Sequence, residues 1–433
     1  MRRFLFLLVF VLFLCLTQTS EAKKNAPLVV PDDFETIEEA YANVKNGGTI
    51  SIKPGKYEFS QTLEVDKNVK FKSDTGDAES VVIDCAVART FQITGGSPSF
   101  QNLTLSNSDD NRGGFYVTGG TPKLFRCIIT SRKGSGMAVE GKDADPDVEK
   151  CVFKDCGKAG LIVEKEGRGE FYDCEIYGNG AHGIQVSQSA NPTISRCKIH
   201  DGKGPGVLFT EKGLGELSHC DISGNGPAGI CVRDGANPTV TNCTIHDGAN
   251  FGIFVLNKSF GKFSDCEIYG NGIMGIQVCN SGNPTLIRCK IHDEQIGISV
   301  TKNGLGEFRN CEIYKNESGI ASNTLGNPTV IECKIHDDST GGVMVLEDGM
   351  GEFRNCEIYE NFMGVGVSGN ATVIGCDIHG NGPGVFIMEK GAGKFYNNTL
   401  SENYYEKKPA NWFIYENAGM LKGSGNTPEM PKR

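Results

Sequence analysis

Tyr177, His200, His246, Tyr269, His292, Tyr314, His336, Tyr359 and His379 fill one repeated place in this chain, directly after an isoleucine and two residues after a charged or polar position. Ser223 interrupts the series. Rings with polar tips, lined up on an exposed face, could hold a sugar chain through ring contacts and hydrogen bonds to hydroxyls. The other reading is that the rings stack on one another and only stabilise the repeat. The histidines do not read as a metal site, because same-type repeats would lie ~9.6 Å apart, too far to share an ion. No metal or other cofactor is expected.

The place recurs because the whole chain recurs. From Cys127 the cysteines return at Cys151, Cys174, Cys197, Cys220, Cys243, Cys266, Cys289, Cys311, Cys333, Cys356 and Cys376, almost always 22 to 24 residues apart. A fixed period of that size marks a solenoid. Two versions alternate: GEFYDCEIYGNG at Cys174 and GKFSDCEIYGNG at Cys266, against NPTISRCKIHDG at Cys197 and NPTLIRCKIHDE at Cys289. The larger unit is thus a pair of periods.

Each period holds three short strand-like pieces. Around Cys174 they are Glu170-Phe171, Cys174 to Tyr177, and Ile184 to Val186. Alternation along a strand points Phe171, Cys174, Ile176, Ile184 and Val186 inward. Gly178-Asn179-Gly180 and its copies mark one corner, where glycine and asparagine tolerate positive φ. Asn-Pro-Thr at Asn191, Asn237, Asn283 and Asn327 marks another. Glu175, Lys198, Asp221, Thr244, Glu267, Lys290 and Glu312 begin an outward ladder whose charge alternates. A second outward set is uncharged, and its Leu208, Phe254, Met344 and Phe386 read as exposed apolar side chains. Before the repeats, Thr36 to Val44 has helical spacing, with Asp33 as N-cap and Gly47 as stop. This helix would lid the open end of the first coil. The expected class is all-β: a right-handed parallel β-helix solenoid with a short N-terminal capping helix.

The stretch TIEEAYANVKNGGTISIKPGKYEFSQTLEV, followed by glycine- and asparagine-punctuated coils, resembles the right-handed parallel β-helix of the pectin-lyase fold. In texture it is similar to the carbohydrate-binding and sugar-hydrolase repeat group, which includes NosD-like periplasmic proteins and the β-helix part of certain F-box adaptors. The resemblance spans roughly residues 28 to 405 and implies fold far more than activity. The enzyme branches of the fold have motifs that are mostly missing here. Asp109-Asp110 matches one element of the polygalacturonase-like set, and Ala181-His182-Gly183 imitates another. Asp145-Pro146-Asp147 falls short of the epimerase-like D-P-H-D, and the one tryptophan, Trp412, lies past the array. The run Asp143 to Asp147 alternates carboxylates as calcium loops do, without the glycine or the distal glutamate of an EF-hand.

The N-terminus reads as an export signal: Met1-Arg2-Arg3, an apolar run from Phe4 to Leu16, then Ser20-Glu21-Ala22. The run is too short to span a bilayer. The expected division is 1–22 signal peptide, 23–75 cap and first strands, 76–405 coils and 406–433 C-terminal cap and tail, with a secreted or periplasmic location. The chain has 17 cysteines, one of them Cys15 in the signal. In-register parallel pairing strains a disulfide, so the ladder cysteines read as buried thiols, a few bridges being the alternative. With a net charge of −10, a nucleic-acid partner is not expected. The functional expectation is an exported β-helix that binds polysaccharide or another extended partner, such as an extracellular protein, along its side. The alternatives are a polysaccharide lyase, epimerase or glycoside hydrolase using the irregular early coils, and a protein-interaction scaffold.

Overall fold

Three strands per period wind into three long parallel sheets of 18, 16 and 16 strands, and the computed structural model describes residues 26–108 and 113–431. The segment 1–22 and Asp109 to Arg112 lie outside the described residues. The coils form a right-handed parallel β-solenoid, the hand that a twisted strand and its crossover favour. Successive coils pair residue for residue. Phe171 sits on Ile194, Ile176 on Ile199, and Ile184 on Val207. The longest of the three ladders runs from Leu28 to Ser424.

One inward column explains the two versions of the repeat. It runs Phe263, Leu286, Phe308, Val330, Phe353, Val373 and Phe395, all with 0% exposure, so large rings alternate with smaller aliphatics. A close-packed interior accepts this because each ring fills the space its smaller neighbours leave. Two residues before these phenylalanines stands a glycine. A Cβ on Gly261 would lie 2.9 Å from the Phe263 ring, and one on Gly306 would lie 3.0 Å from the Phe308 ring. Two coils with a smaller inward residue carry proline there instead, Pro284 and Pro328, and the third carries Ala371.

Twelve cysteines at the repeat spacing, from Cys127 to Cys376, form the neighbouring column, and all 16 in the described residues are free and buried. Their sulfurs knit adjacent coils: the Cys127 N–H donates to Cys151 Sγ at 3.3 Å, and the Cys311 N–H donates to Cys333 Sγ at 3.4 Å. Burial pushes the Cys151 thiol well up and the Cys156 thiol up to about 12, which keeps both protonated and unreactive.

The glycine-asparagine corner differs from its expected form. Gly178 takes the positive φ of +65°, whereas Asn179 turns inward with 0% exposure. Its copies Asn225, Asn361 and Asn381 donate their Nδ2 to carbonyls of the coil before, Ile199, Ile335 and Ile358, at 2.8 to 3.0 Å. Asparagine is there for its amide, which satisfies the backbone groups that a corner leaves unpaired.

The capping helix is Ile37–Asn43, with Ile37, Ala40 and Tyr41 buried against the first coil. Its N-cap is Thr36, not Asp33: Thr36 Oγ1 accepts the Glu39 N–H at 3.1 Å, whereas Asp33 accepts the Val29 N–H at 2.8 Å. The chain leaves the helix at Val44, which is already extended, three residues before Gly47. At the far end Trp412–Ile414 and Leu421–Ser424 continue two of the ladders, beside a short antiparallel pair, Tyr404–Tyr405 with Lys408–Pro409.

The thiol column makes a direct prediction. In the native protein a thiol reagent such as Ellman's should label essentially none of these cysteines, and all should react once denaturant unfolds the coils. Rapid labelling of several cysteines without denaturant would contradict a dry, continuous column.

Candidate functional site

The tyrosine and histidine positions fall in one strict file on the second sheet. Tyr177 pairs with His200, His246 with Tyr269, Tyr269 with His292, His292 with Tyr314, Tyr314 with His336, His336 with Tyr359, and Tyr359 with His379. From His246 to His379 seven rings stack without a break, at centroid distances of 4.6 to 5.3 Å and interplanar angles of 3 to 22°. Tyr177 and His200 form a separate pair at 5.1 Å, cut off by Ser223. The rings are half-buried, since each covers the faces of the next. What they offer outward is their edges, the phenol hydroxyls and the ring nitrogens.

Carboxylates fix the imidazoles. Asp201, Asp247, Asp293 and Asp337 each follow a histidine and take a left-handed turn with φ between +51° and +59°, which aspartate tolerates better than most residues. That turn brings Oδ2 to within 2.7 to 2.8 Å of Nδ1 of His200, His246, His292 and His336. On the other side Nε2 faces the charged ladder of the preceding coil, 3.1 Å from Asp221 at His246 and 3.3 Å from Glu175 at His200. Between coils the ladder pairs Lys334 with Glu357 at 3.3 Å and Lys290 with Glu312 at 4.0 Å. Such exposed pairs contribute only about 0–1 kcal/mol each, so they set register and surface potential more than stability.

The second outward set is not a row of exposed apolar side chains. Leu208 and Cys231 are 3% and 7% exposed, and with Ala228 they form a small cluster flanked by Phe251, Phe254 and Leu256. Phe254, Met344 and Phe386 are partly buried. In-register neighbours close over one another, and the lengthened strands Ala228–Val232 and Phe251–Val255 add a further side chain at the corner.

Sequence reasoning missed a polar cluster on the early coils. The Arg89 guanidinium lies 3.6 Å from the Tyr116 ring centroid, and its Nε is buried without a hydrogen-bond partner. The Tyr116 hydroxyl donates to Glu140, which also pairs with Lys165. Burial first, then the bond to Glu140, pushes the Tyr116 phenol up to about 12. Burial would raise Glu140 too, but the bonds from Lys165 and Tyr116 and the nearby cations leave its carboxyl below the usual range. Glu164, in register with Glu140, is raised by burial and by the charge of Glu140. The residues come from four successive coils with no shared motif. The only sequence signal was the irregularity of those coils.

The remaining motifs do not assemble. Asp147 pairs with Lys123 at 3.6 Å, while Asp143 and Asp145 are exposed. Among the described residues no three His, Cys, Asp or Glu side chains are placed to hold a metal ion. His182 has a buried Nδ1 without a partner, and burial, then Arg233, lowers its pKa. Asp109-Asp110 lies outside the described residues.

A family model described as the right handed beta helix region matches residues 90–235, 210–327 and 318–420. No curated protein matches the sequence. Similar solved structures include the A-module of the mannuronan C-5 epimerase AlgE4 of Azotobacter vinelandii, 13% identical over 90% of this chain and 91% of that one, with a TM-score of 0.36. The periplasmic alginate epimerase AlgG is 12% identical over 92% and 83%, with a TM-score of 0.38. The pectin methylesterase from Aspergillus niger is 16% identical over 57% and 85%, with a TM-score of 0.36. Nothing of their chemistry follows for this chain.

The stack predicts an ordered pair of effects. His292→Ala removes two ring contacts, each worth about 0.5–1.5 kcal/mol, and should destabilise the protein by about 1–3 kcal/mol. His379→Ala, at the end of the file, removes one and should lose about half as much. Denaturant unfolding of the two variants checks the order; equal, negligible losses would mean that the rings do not support one another.

Proposed function

This chain belongs to the right-handed β-helix family, and from that premise we propose that it is an exported binding protein that holds a hydroxyl-rich, uncharged polysaccharide along the Tyr/His stripe. One observation carries the reading: the unbroken file of seven rings from His246 to His379 on one side of the solenoid. Same-type rings recur every ~9.6 Å, close to the length of two units of an extended sugar chain. The ring faces are occupied, so contact with sugar runs through ring edges and the hydroxyls of Tyr269, Tyr314 and Tyr359. Flanking carboxylates add acceptors for sugar hydroxyls.

The charge of the stripe selects the class of polymer. Glu267, Glu312, Glu357, Asp247, Asp293 and Asp337 line it, against Lys290, Lys315 and Lys334. A polyuronate would meet a net negative charge along this stripe, which disfavours association. No helix among the described residues is long and apolar enough to cross a membrane. The export signal read at 1–22 supports a location outside the cytoplasm.

A second reading has its own observation. The Arg89, Tyr116, Glu140 and Lys165 cluster offers cations and paired acids on the early coils, the region where a lyase, epimerase or hydrolase site would sit. An anionic polysaccharide would be its substrate class.

One experiment separates the two. Retention of the protein on gels containing neutral glucan, mannan or xylan, or alginate, is compared for wild type and the double variant Tyr269→Phe/Tyr314→Phe, alongside an assay for depolymerisation and uronate unsaturation. The phenylalanine pair keeps the stack and the melting temperature but removes two hydroxyl tips. The binder predicts retention by a neutral polymer, reduced several-fold in the double variant, without turnover. Turnover of alginate abolished by Glu140→Gln would establish the second reading instead. Retention unchanged in the double variant would remove the stripe as the binding surface.

A further inference from the structure

The inward asparagine column has two members of a different kind. Going up the solenoid, the rungs after Asn271 are Glu294, Asn316, Asp338, Asn361, Asn381 and Asn403, each accepting the backbone N–H of the rung before. Asn316 Oδ1 accepts from Glu294 N at 3.2 Å, Asp338 Oδ1 from Asn316 N at 2.8 Å, and Asn361 Oδ1 from Asp338 N at 3.1 Å. Asp338 is 1% exposed and Glu294 5%. Both are carboxylic acids inside the solenoid.

A small glycine beside each rung reveals where the second side-chain atom points. A Cβ on Gly342, Gly364 or Gly384 would lie 2.8, 3.1 and 2.7 Å from Nδ2 of Asn361, Asn381 and Asn403. A Cβ on Gly319 would lie 2.4 Å from Asp338 Oδ2. Asp338 Oδ2 therefore stands where the amide nitrogen stands in the other rungs. There the asparagines donate to a carbonyl of the preceding coil, Ile335 for Asn361 and Ile358 for Asn381. The corresponding carbonyl for Asp338 is that of Ile313. An ionised Oδ2 would face this acceptor with no donor, and Oδ2 is buried with no hydrogen-bond partner among the described residues. Glu294 repeats the situation: Oε1 accepts from Asn271 Nδ2 at 2.8 Å, and Oε2 is buried without a partner.

We propose that Asp338 and Glu294 are neutral acids that stand in for asparagine, Asp338 carrying its proton on Oδ2 and donating it to the Ile313 carbonyl. Loss of these protons loosens the coils they join. An acid that must act as a donor is a rung that works only while protonated, unlike the amides above and below it. The amides of Asn316 and Asn361 adjoin Asp338, and the charge that acts on it is that of Asp337; the amide of Asn271 adjoins Glu294, and the charges that act on it are those of Asp293 and Asp247. Burial, ahead of those charges, pushes the Asp338 carboxyl up to about 8 and that of Glu294 up to about 7. The folded-state values exceed the ~4 of an unfolded acid. Their contribution is therefore complete below about pH 4 and is lost as pH rises through about 7 and then about 8.

The test compares the full wild-type chain with Asp338→Asn, which restores the residue type of the other rungs, and with Glu294→Gln. Melting temperature is followed from about pH 6 to about pH 9, and backbone amide exchange is read at Asn316, Asp338 and Asn361. Wild type should lose several degrees over this range and open first at these amides. Asp338→Asn should lose markedly less, and the difference between the two cancels whatever is common to both. Infrared difference spectra at about pH 6 should hold the carbonyl band of a protonated carboxyl, weakened in Asp338→Asn and in Glu294→Gln. An equal loss of melting temperature in wild type and Asp338→Asn would overturn the proposal. So would the absence of the protonated-carboxyl band from wild type at about pH 6.

Discussion

Every coil of this protein must lie on a copy of itself. Parallel strands in register, about 4.8 Å apart, place each side chain directly on its counterpart in the next coil, so a residue type is tolerated only if it can be stacked on itself or on its alternate. Asparagine qualifies because its amide is donor and acceptor at once. Cysteine qualifies as a small apolar group whose sulfur weakly bridges backbone groups. Phenylalanine from Phe263 to Phe395 alternates with smaller residues and has glycine beneath the ring, whereas in the early coils Phe71 stacks directly on Phe100. Like charges stack less well, and the outward ladder alternates glutamate with lysine from Glu267 to Glu357 before Glu357 meets Asp377.

This constraint decides what could be read from the residues alone. Inward columns such as Cys266, Ile268, Ile276 and Val278 were legible because burial and strand alternation act together along many copies. The file of tyrosine and histidine was legible as a file, but not the face-to-face contact that half-buries it, since parity along a strand says nothing about side-chain rotamers. Leu208 was misread for a related reason. Pointing outward from a sheet is not the same as meeting water when neighbours in register close over each other. Thr36 rather than Asp33 caps the helix because the cap is decided by which side chain reaches the N–H of Glu39, a matter of one turn of backbone. The cluster around Tyr116 was invisible because its members share no spacing.

Structure and surface are not separate in the stripe. The contacts that hold His292 between Tyr269 and Tyr314 also aim their edges, and the aspartate turn that shapes the corner also fixes the imidazole. Behind the same corners run the inward rungs: Asp293 is followed by Glu294, and Asp337 by Asp338. An outward carboxylate and an inward acid thus share two successive residues of backbone.

The alternation of phenylalanine coils with smaller ones has a genetic meaning. A duplication or deletion that spans two coils leaves the order of the Phe263 to Phe395 stretch of the column intact, along with the sequence of rings and charges outside. A change of a single coil there would set two bulky rings, or two small side chains, against each other. Length is then a trait that recombination can adjust in double steps while the cross-section stays constant, which is how a gene can lengthen a solenoid without redesigning it.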